Sequence, residues 1–174
     1  AQGHFLDAMA ALRLTGAWPG GYNYWINNRA LVMALAASAY VNGLDRAKHA
    51  ASVKQTIKRA AYWNVHATRP DHRMEGLGDE GPRVDLKDET RRFIDVVAQL
   101  TGDGVLSAYS RYLERLHGRE SYFRTYRWSI PLFNDPTVAP AAAIDGPSLA
   151  PLDRLVRRST LFGEQAFNQV YIRS

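Results

Sequence analysis

Three stretches of the chain hold residue types that could do chemistry. In WPGGYNYWINNR (18–29), Tyr22, Tyr24 and Trp25 crowd a Gly-Gly turn at the mouth of an apolar helix. Glycines let a ligand or another chain approach the backbone closely. The aromatic faces suit the apolar C–H faces of sugar rings, and Asn23, Asn27, Asn28 and Arg29 could bond hydroxyls or carboxylates. The same rings could equally seal the helix as core. In GLGDEGPR (76–83), Asp79 and Glu80 lie on a glycine loop, with His66, Arg69, His72, Arg73 and Arg83 nearby. Adjacent carboxylates there could do acid–base work or cap the helix that follows. His66 and His72 lack the i, i+4 spacing of a helical metal pair and no third ligand is evident, so both read as structural or solvated and no metal is expected. From Tyr109 to Trp128, Arg111, Arg115, Arg119, Arg124 and Arg127 interleave with Tyr112, Tyr122, Phe123 and Tyr126. That pattern suits a polyanion, or an amphipathic helix pair with basic outer faces.

Composition limits the setting of these groups. A chain of 174 residues, 46% hydrophobic and 22% charged, fits one domain with a real core. It has no cysteine, which removes disulfides, thiolate metal sites and thiol nucleophiles. Its 22 Lys+Arg against 17 Asp+Glu leave a net charge of +5, which favours an anionic partner without naming one. The longest apolar run, Ala30 to Val41, is interrupted by Ser38 and is too short to span a bilayer. The chain opens inside a helical pattern and closes inside a strand-like one, and it is read as an interior piece of a longer soluble protein.

The elements that must position these groups are mostly helices. Phe5, Met9 and Leu12 recur at helical spacing, with Gly16 as a stop. Trp25 to about Asn42 is apolar on every face, as in the middle of a larger helical assembly. Asp45 can cap the next helix, whose stripe is Ala50, Val53, Ile57 and Ala61. Residues 64–84 have no period and form a long connection of the kind that is often functional. Asp85 opens a helix that buries Phe93, Ile94, Val97 and Leu100, ended by Gly102. Asp103 caps another, with Val105, Leu106, Tyr109, Leu113 and Leu116 on its stripe, and Ser121 to Ile130 adds a further helix before Pro131. Five of the eight prolines then fall between Pro131 and Pro151, reading as a connection. LDRLVRRST suggests a short helix, and Phe167, Val170, Tyr171 and Ile172 give the first β-like run. The expected fold is mainly α, in antiparallel helix hairpins that could stack as part of an incomplete (α/α) toroid, with β structure starting at the C-terminal end. Its divisions are a helical toroid portion (1–135), a Pro/Ala-rich connection (136–160) and the first strands of a β-sandwich (161–174).

WPGGYNYWINNRALVMALAA resembles the segment of heparinase II/III-like polysaccharide lyases in which a Gly-rich turn and a Tyr-Trp pair open an inner toroid helix. RPDHRMEGLGDEG looks like their loop carrying a Gly-Asp element, and LFGEQAFNQVYIRS resembles the first strands of their β-sandwich. The resemblance implies β-elimination on a uronic-acid-containing polysaccharide, such as a glycosaminoglycan or alginate, by a periplasmic or secreted enzyme without a cofactor. The proton removed is α to a carboxylate whose charge must first be neutralised, one group must take that proton, and another must protonate the leaving oxygen. In this family a tyrosine moves one or both protons, and the matching position is Tyr24. A phenol is a poor base at neutral pH unless cationic neighbours favour the phenolate. Arg29 is the candidate neighbour, and Asn28 could orient the substrate. Tyr22, Trp25, Asp79, Glu80 and Arg83 complete the expected substrate contacts. The family's carboxylate-neutralising Asn or His lies on an earlier helix and another histidine lies in the sandwich, so this piece alone is expected to be inactive. Its expected partners are an acidic polysaccharide and the rest of its own chain, with neither nucleic acid nor a membrane span. Other readings are a glycoside hydrolase using Asp79 or Glu80 with a second carboxylate about 5–10 Å away, an acidic-glycan-binding helical module built on the 109–128 stretch, and a scaffold fragment.

Overall fold

Apolar stripes at helical spacing have to find one another, and in the computed structural model they do so through helices that alternate in direction. The structure describes residues 2–13, 16–18, 20–44, 48–69, 72–74, 80–81, 83–117, 132–133, 136–140, 148–149, 154–158 and 169–173. Its helices are α1 (Gln2–Arg13), α2 (Tyr22–Asn28), α3 (Ala30–Ala39), α4 (Ala50–Ala67), α5 (Glu89–Thr101) and α6 (Gly104–His117), with a π turn over Tyr40–Leu44 after α3. The described chain is therefore mainly helical.

Pairings fix the directions. Arg59, midway along α4, donates to the Arg13 carbonyl at the end of α1, while Leu6 and His49 line one cleft at the start of both helices, so these two run the same way. Tyr62 reaches Asp103 and Thr68 reaches Tyr109, which makes α6 parallel to α4. Arg91 pairs with Glu114 and Asp95 with Ser110, so α5 and α6 form an antiparallel hairpin. The hairpin turns in two residues: Gly102 closes α5 in the left-handed conformation, and Asp103 caps α6. Tyr22 and Trp25 meet Thr90 and Phe93 in order, so α2 runs with α5 and against α4. Trp25, Ile57, Phe93, Leu106, Tyr109 and Leu113 are fully buried where these helices meet.

Several boundaries differ from the sequence expectation. The helix expected from Trp25 begins at Tyr22 and breaks at Arg29, where φ is −126° and ψ −42°. Asp85 does not open a helix: it pairs with Arg73 in a two-stranded antiparallel sheet of β1 (Arg73–Met74) and β2 (Val84–Asp85), and α5 starts after Asp88. β structure is thus not confined to the C-terminal end, because burial of Met74 and Val84 closes a ladder too short to leave a period-two signal. The short helix expected at LDRLVRRST is strand β4 (Arg154–Arg158), paired antiparallel with β3 (Ser148–Leu149) and β5 (Gln169–Arg173). RLVRR satisfies either period, and the strands on both sides decide it. These strands begin inside the expected 136–160 connection. The Asp45 cap and the Ser121–Ile130 helix lie outside the described residues.

Candidate functional site

Helix α2 holds the site. Gly21 precedes it with φ 89° and ψ 177°, a conformation open essentially to glycine alone. About 100° per residue then sorts the side chains of α2. Tyr22, Trp25 and Ile26 point into the core, while Tyr24 and Asn27 face outward. Tyr24 is 43% exposed.

Both ends of α2 are held by charged side chains. At its start the backbone N–H of Asn23 donates to a Glu80 carboxylate oxygen, a favourable place for a negative charge. At its end Arg29 Nη1 donates to the Tyr24 carbonyl at 2.9 Å. The Arg29 guanidinium lies 5.0 Å from the Trp18 ring centroid and 5.8 Å from that of Tyr24. Trp18 stacks on Trp25 at 5.7 Å, and Trp25 meets Phe93 edge-on at 5.4 Å. An aromatic column therefore runs from the core to the cation at the surface. Beside it, Lys87 Nζ donates to Asn27 Oδ1 at 3.1 Å. The outcome is an exposed phenol beside a cation, with a second cation on the same helix's outer face.

The expected site residues divide. Tyr24, Arg29 and Glu80 come together around α2. Tyr22 and Trp25 are corrected to core: both are 0% exposed, and neither presents a face to a substrate. The Tyr22 hydroxyl bonds Thr90 Oγ1 at 2.6 Å and accepts from the Lys87 backbone N–H at 2.7 Å. Burial pushes its phenol well above the ordinary tyrosine range, against the smaller opposing effect of those hydrogen bonds. Arg83 is exposed and donates to Asp85 at 3.1 Å, within the β1–β2 hairpin. Asp79 and the Asn28 side chain lie outside the described residues, as does most of the basic stretch beyond His117. Two members were not anticipated. Trp18 stood in the quoted segment without a role, and Lys87 gave no signal because it is 60 positions from Asn27.

His66 and His72 have different ring neighbours. His66 is buried with its ring 6.1 Å from Tyr62, and His72 lies 6.0 Å from the Tyr112 ring at a φ of 59°. Among the described residues no three His, Asp or Glu side chains could hold a metal ion, and no helix is long and apolar enough to cross a membrane. Comparison with protein-family models, with curated proteins and with solved structures finds no match for this chain.

Proposed function

We propose that the chain is part of a polysaccharide lyase that cleaves a uronic-acid-containing polysaccharide by β-elimination, with Tyr24 moving the proton. The observation that carries this reading is the phase of α2: Tyr24 is turned outward beside the Arg29 guanidinium while Tyr22 and Trp25 are core. A β-elimination site needs a positive charge near the uronate carboxylate and a proton-transfer group near C5. Arg29 and Lys87 offer the first, and Tyr24 the second. The alternating helix directions support an arrangement in which these helices form part of an (α/α) toroid, and a periplasmic or secreted setting would suit a polymeric substrate.

The same ledge supports a second reading, an acidic-glycan-binding module that performs no chemistry. A hydrolase using Glu80 is less well supported, because that carboxylate is engaged at the start of α2. One substitution separates the first two readings. In the full-length protein, Tyr24→Phe should lower turnover by about 10²–10⁴ while binding of an acidic oligosaccharide persists. The readout is the ultraviolet absorbance of the unsaturated uronate. Unchanged turnover in the Phe variant excludes Tyr24 as acid or base. A wild-type protein that binds acidic glycans and never yields the chromophore leaves the binding module.

A further inference from the structure

A cavity of about 290 Å³ opens between α5 and α6, apart from the Tyr24 ledge. Its floor is ionic and buried. Arg91 Nη2 lies 3.2 Å from Glu114 Oε2, Arg91 Nε donates to Ser110 Oγ at 3.4 Å, and Ser110 donates to Asp95. The Arg91 and Asp95 side chains are only 3% and 6% exposed. Burying such a network is weak support for stability, since well-packed apolar side chains in its place are often neutral or better. Here the helices instead leave space beside it. Phe133 and Val138 form an apolar wall, and Ser107 Oγ ties that wall to α6 by donating to the Val138 carbonyl at 2.9 Å. Gln99 and Arg111, both exposed, flank the mouth from opposite helices. Arg111 forms no ion pair with the other described residues.

We propose that this cavity binds a single sugar acid, a hydroxylated ring carrying one carboxylate. The volume lies just below the range for small-molecule sites, about 300–1,000 Å³, so it suits one ring rather than a chain. Hydroxyls are the ligand groups that can donate to the Glu114 and Asp95 carboxylates and also accept from Gln99. The C–H face of a pyranose matches Phe133. A ligand carboxylate would answer the Arg111 guanidinium in a charge-assisted hydrogen bond. The site uses neither Tyr24 nor Arg29, so it stands whether or not the lyase reading does.

The test follows backbone amide NMR shifts in the full chain during titration with D-glucuronate, D-glucose and succinate. Millimolar glucuronate should move the signals of Gln99, Ser107, Arg111 and Glu114, with glucose about tenfold weaker and succinate without effect. Arg111→Ala should reduce glucuronate affinity to the glucose level, and Gln99→Ala should weaken both sugars. Both positions are exposed, so neither change should disturb folding. Tyr24→Phe should leave these shifts unchanged. Succinate binding as well as glucuronate, unchanged glucuronate affinity in Arg111→Ala, or no shift at α5–α6 with any probe would overturn the proposal. Shifts confined to Tyr24 and Arg29 would also overturn it, while favouring the ledge as the sugar site.

Discussion

Tyr22 and Tyr24 differ by two positions, and removing either hydroxyl should have opposite consequences. The Tyr22 hydroxyl accepts from the Lys87 N–H at 2.7 Å and bonds Thr90 Oγ1 at 2.6 Å inside the core. Tyr22→Phe leaves that partly buried N–H and the buried Thr90 hydroxyl without their partner, which costs about 1–3 kcal/mol. Thr90 can turn its hydroxyl to the Lys87 carbonyl, which its own N–H already bonds, so the middle of that range, about 2 kcal/mol, is expected. For a chain of this length that is a fall in Tm of roughly 4–8 °C. Tyr24→Phe removes a hydroxyl with no partner among the described residues from a ring that is 43% exposed, and should stay within about 0.5 kcal/mol. Thermal unfolding followed by circular dichroism reads both. A second readout is alkaline stability. The phenol of Tyr22 is raised above its unfolded value by burial, so its contribution is complete below pH ~10 and is lost as pH rises further. Tyr22→Phe should therefore be less sensitive to pH above ~10 than wild type. Equal Tm for Tyr22→Phe and wild type, or a loss in Tyr24→Phe as large as in Tyr22→Phe, would refute the in–out phase of α2 on which the site depends.

Further tests concern the elements that support α2. Asp103 accepts from the Val105 and Leu106 N–H groups at 3.0 Å and holds Lys58 Nζ at 2.6 Å. Burial pushes its carboxyl up, but the Lys58 hydrogen bond and the Leu106 N–H outweigh this and hold it below the ordinary value. Its contribution is therefore present above pH ~4 and lost as pH falls below that. Asp103→Ala should cost about 2 kcal/mol and Asp103→Asn about half as much, since Asn still caps; acid and thermal unfolding check this, and equal losses would show that the cap is not the main term. Gly16 has φ 75°, and a Cβ there would lie 2.9 Å from the Arg59 carbonyl oxygen. Gly16→Ala should lower stability by at least about 2 kcal/mol in a urea titration, and a smaller loss would show that α1 can shift away from α4.

Much of the scaffold was legible because its signals are local. The stripes of α4, α5 and α6, the Gly102 stop and the Asp103 cap all follow from spacing within one or two turns. The site was legible in part. Tyr24 and Arg29 were marked, but the helix was expected to begin at Trp25, which put Tyr22, Tyr24 and Trp25 together in one aromatic cluster. Starting the helix at Tyr22 separates them, since Tyr22 and Trp25 are three apart and share a face, while Tyr24 is about 200° from Tyr22. Glu80 shows the opposite limit. A carboxylate on a glycine loop was read as an acid–base group, a substrate contact or a cap for the helix after it, yet it caps α2, 57 positions earlier. No local pattern encodes a cap that arrives across the fold. The β1–β2 ladder was lost for a related reason, since two-residue strands carry no period.

These contacts bear on how a surface tyrosine can be placed accurately. A seven-residue helix has little intrinsic stability, because nucleation uses most of what its few hydrogen bonds return. Here α2 is fixed at three points by groups from outside it or beyond its end. Glu80 satisfies an N–H in its first turn, Lys87 and Thr90 hold the Tyr22 hydroxyl, and Arg29 binds the Tyr24 carbonyl. Trp25, wedged between Trp18 and Phe93, sets its rotation. The outward direction of Tyr24 is thus a consequence of core packing rather than of its own contacts. Under the lyase reading this is preorganisation: binding substrate would not have to order the proton-transfer group, so less binding energy goes into positioning it. It also separates the roles of the two acidic and basic ends. Glu80 serves the helix, and Arg29 serves both the helix and the exposed Tyr24 ring, so replacing Arg29 would loosen α2 and remove the cation together, whereas replacing the Tyr24 hydroxyl disturbs neither.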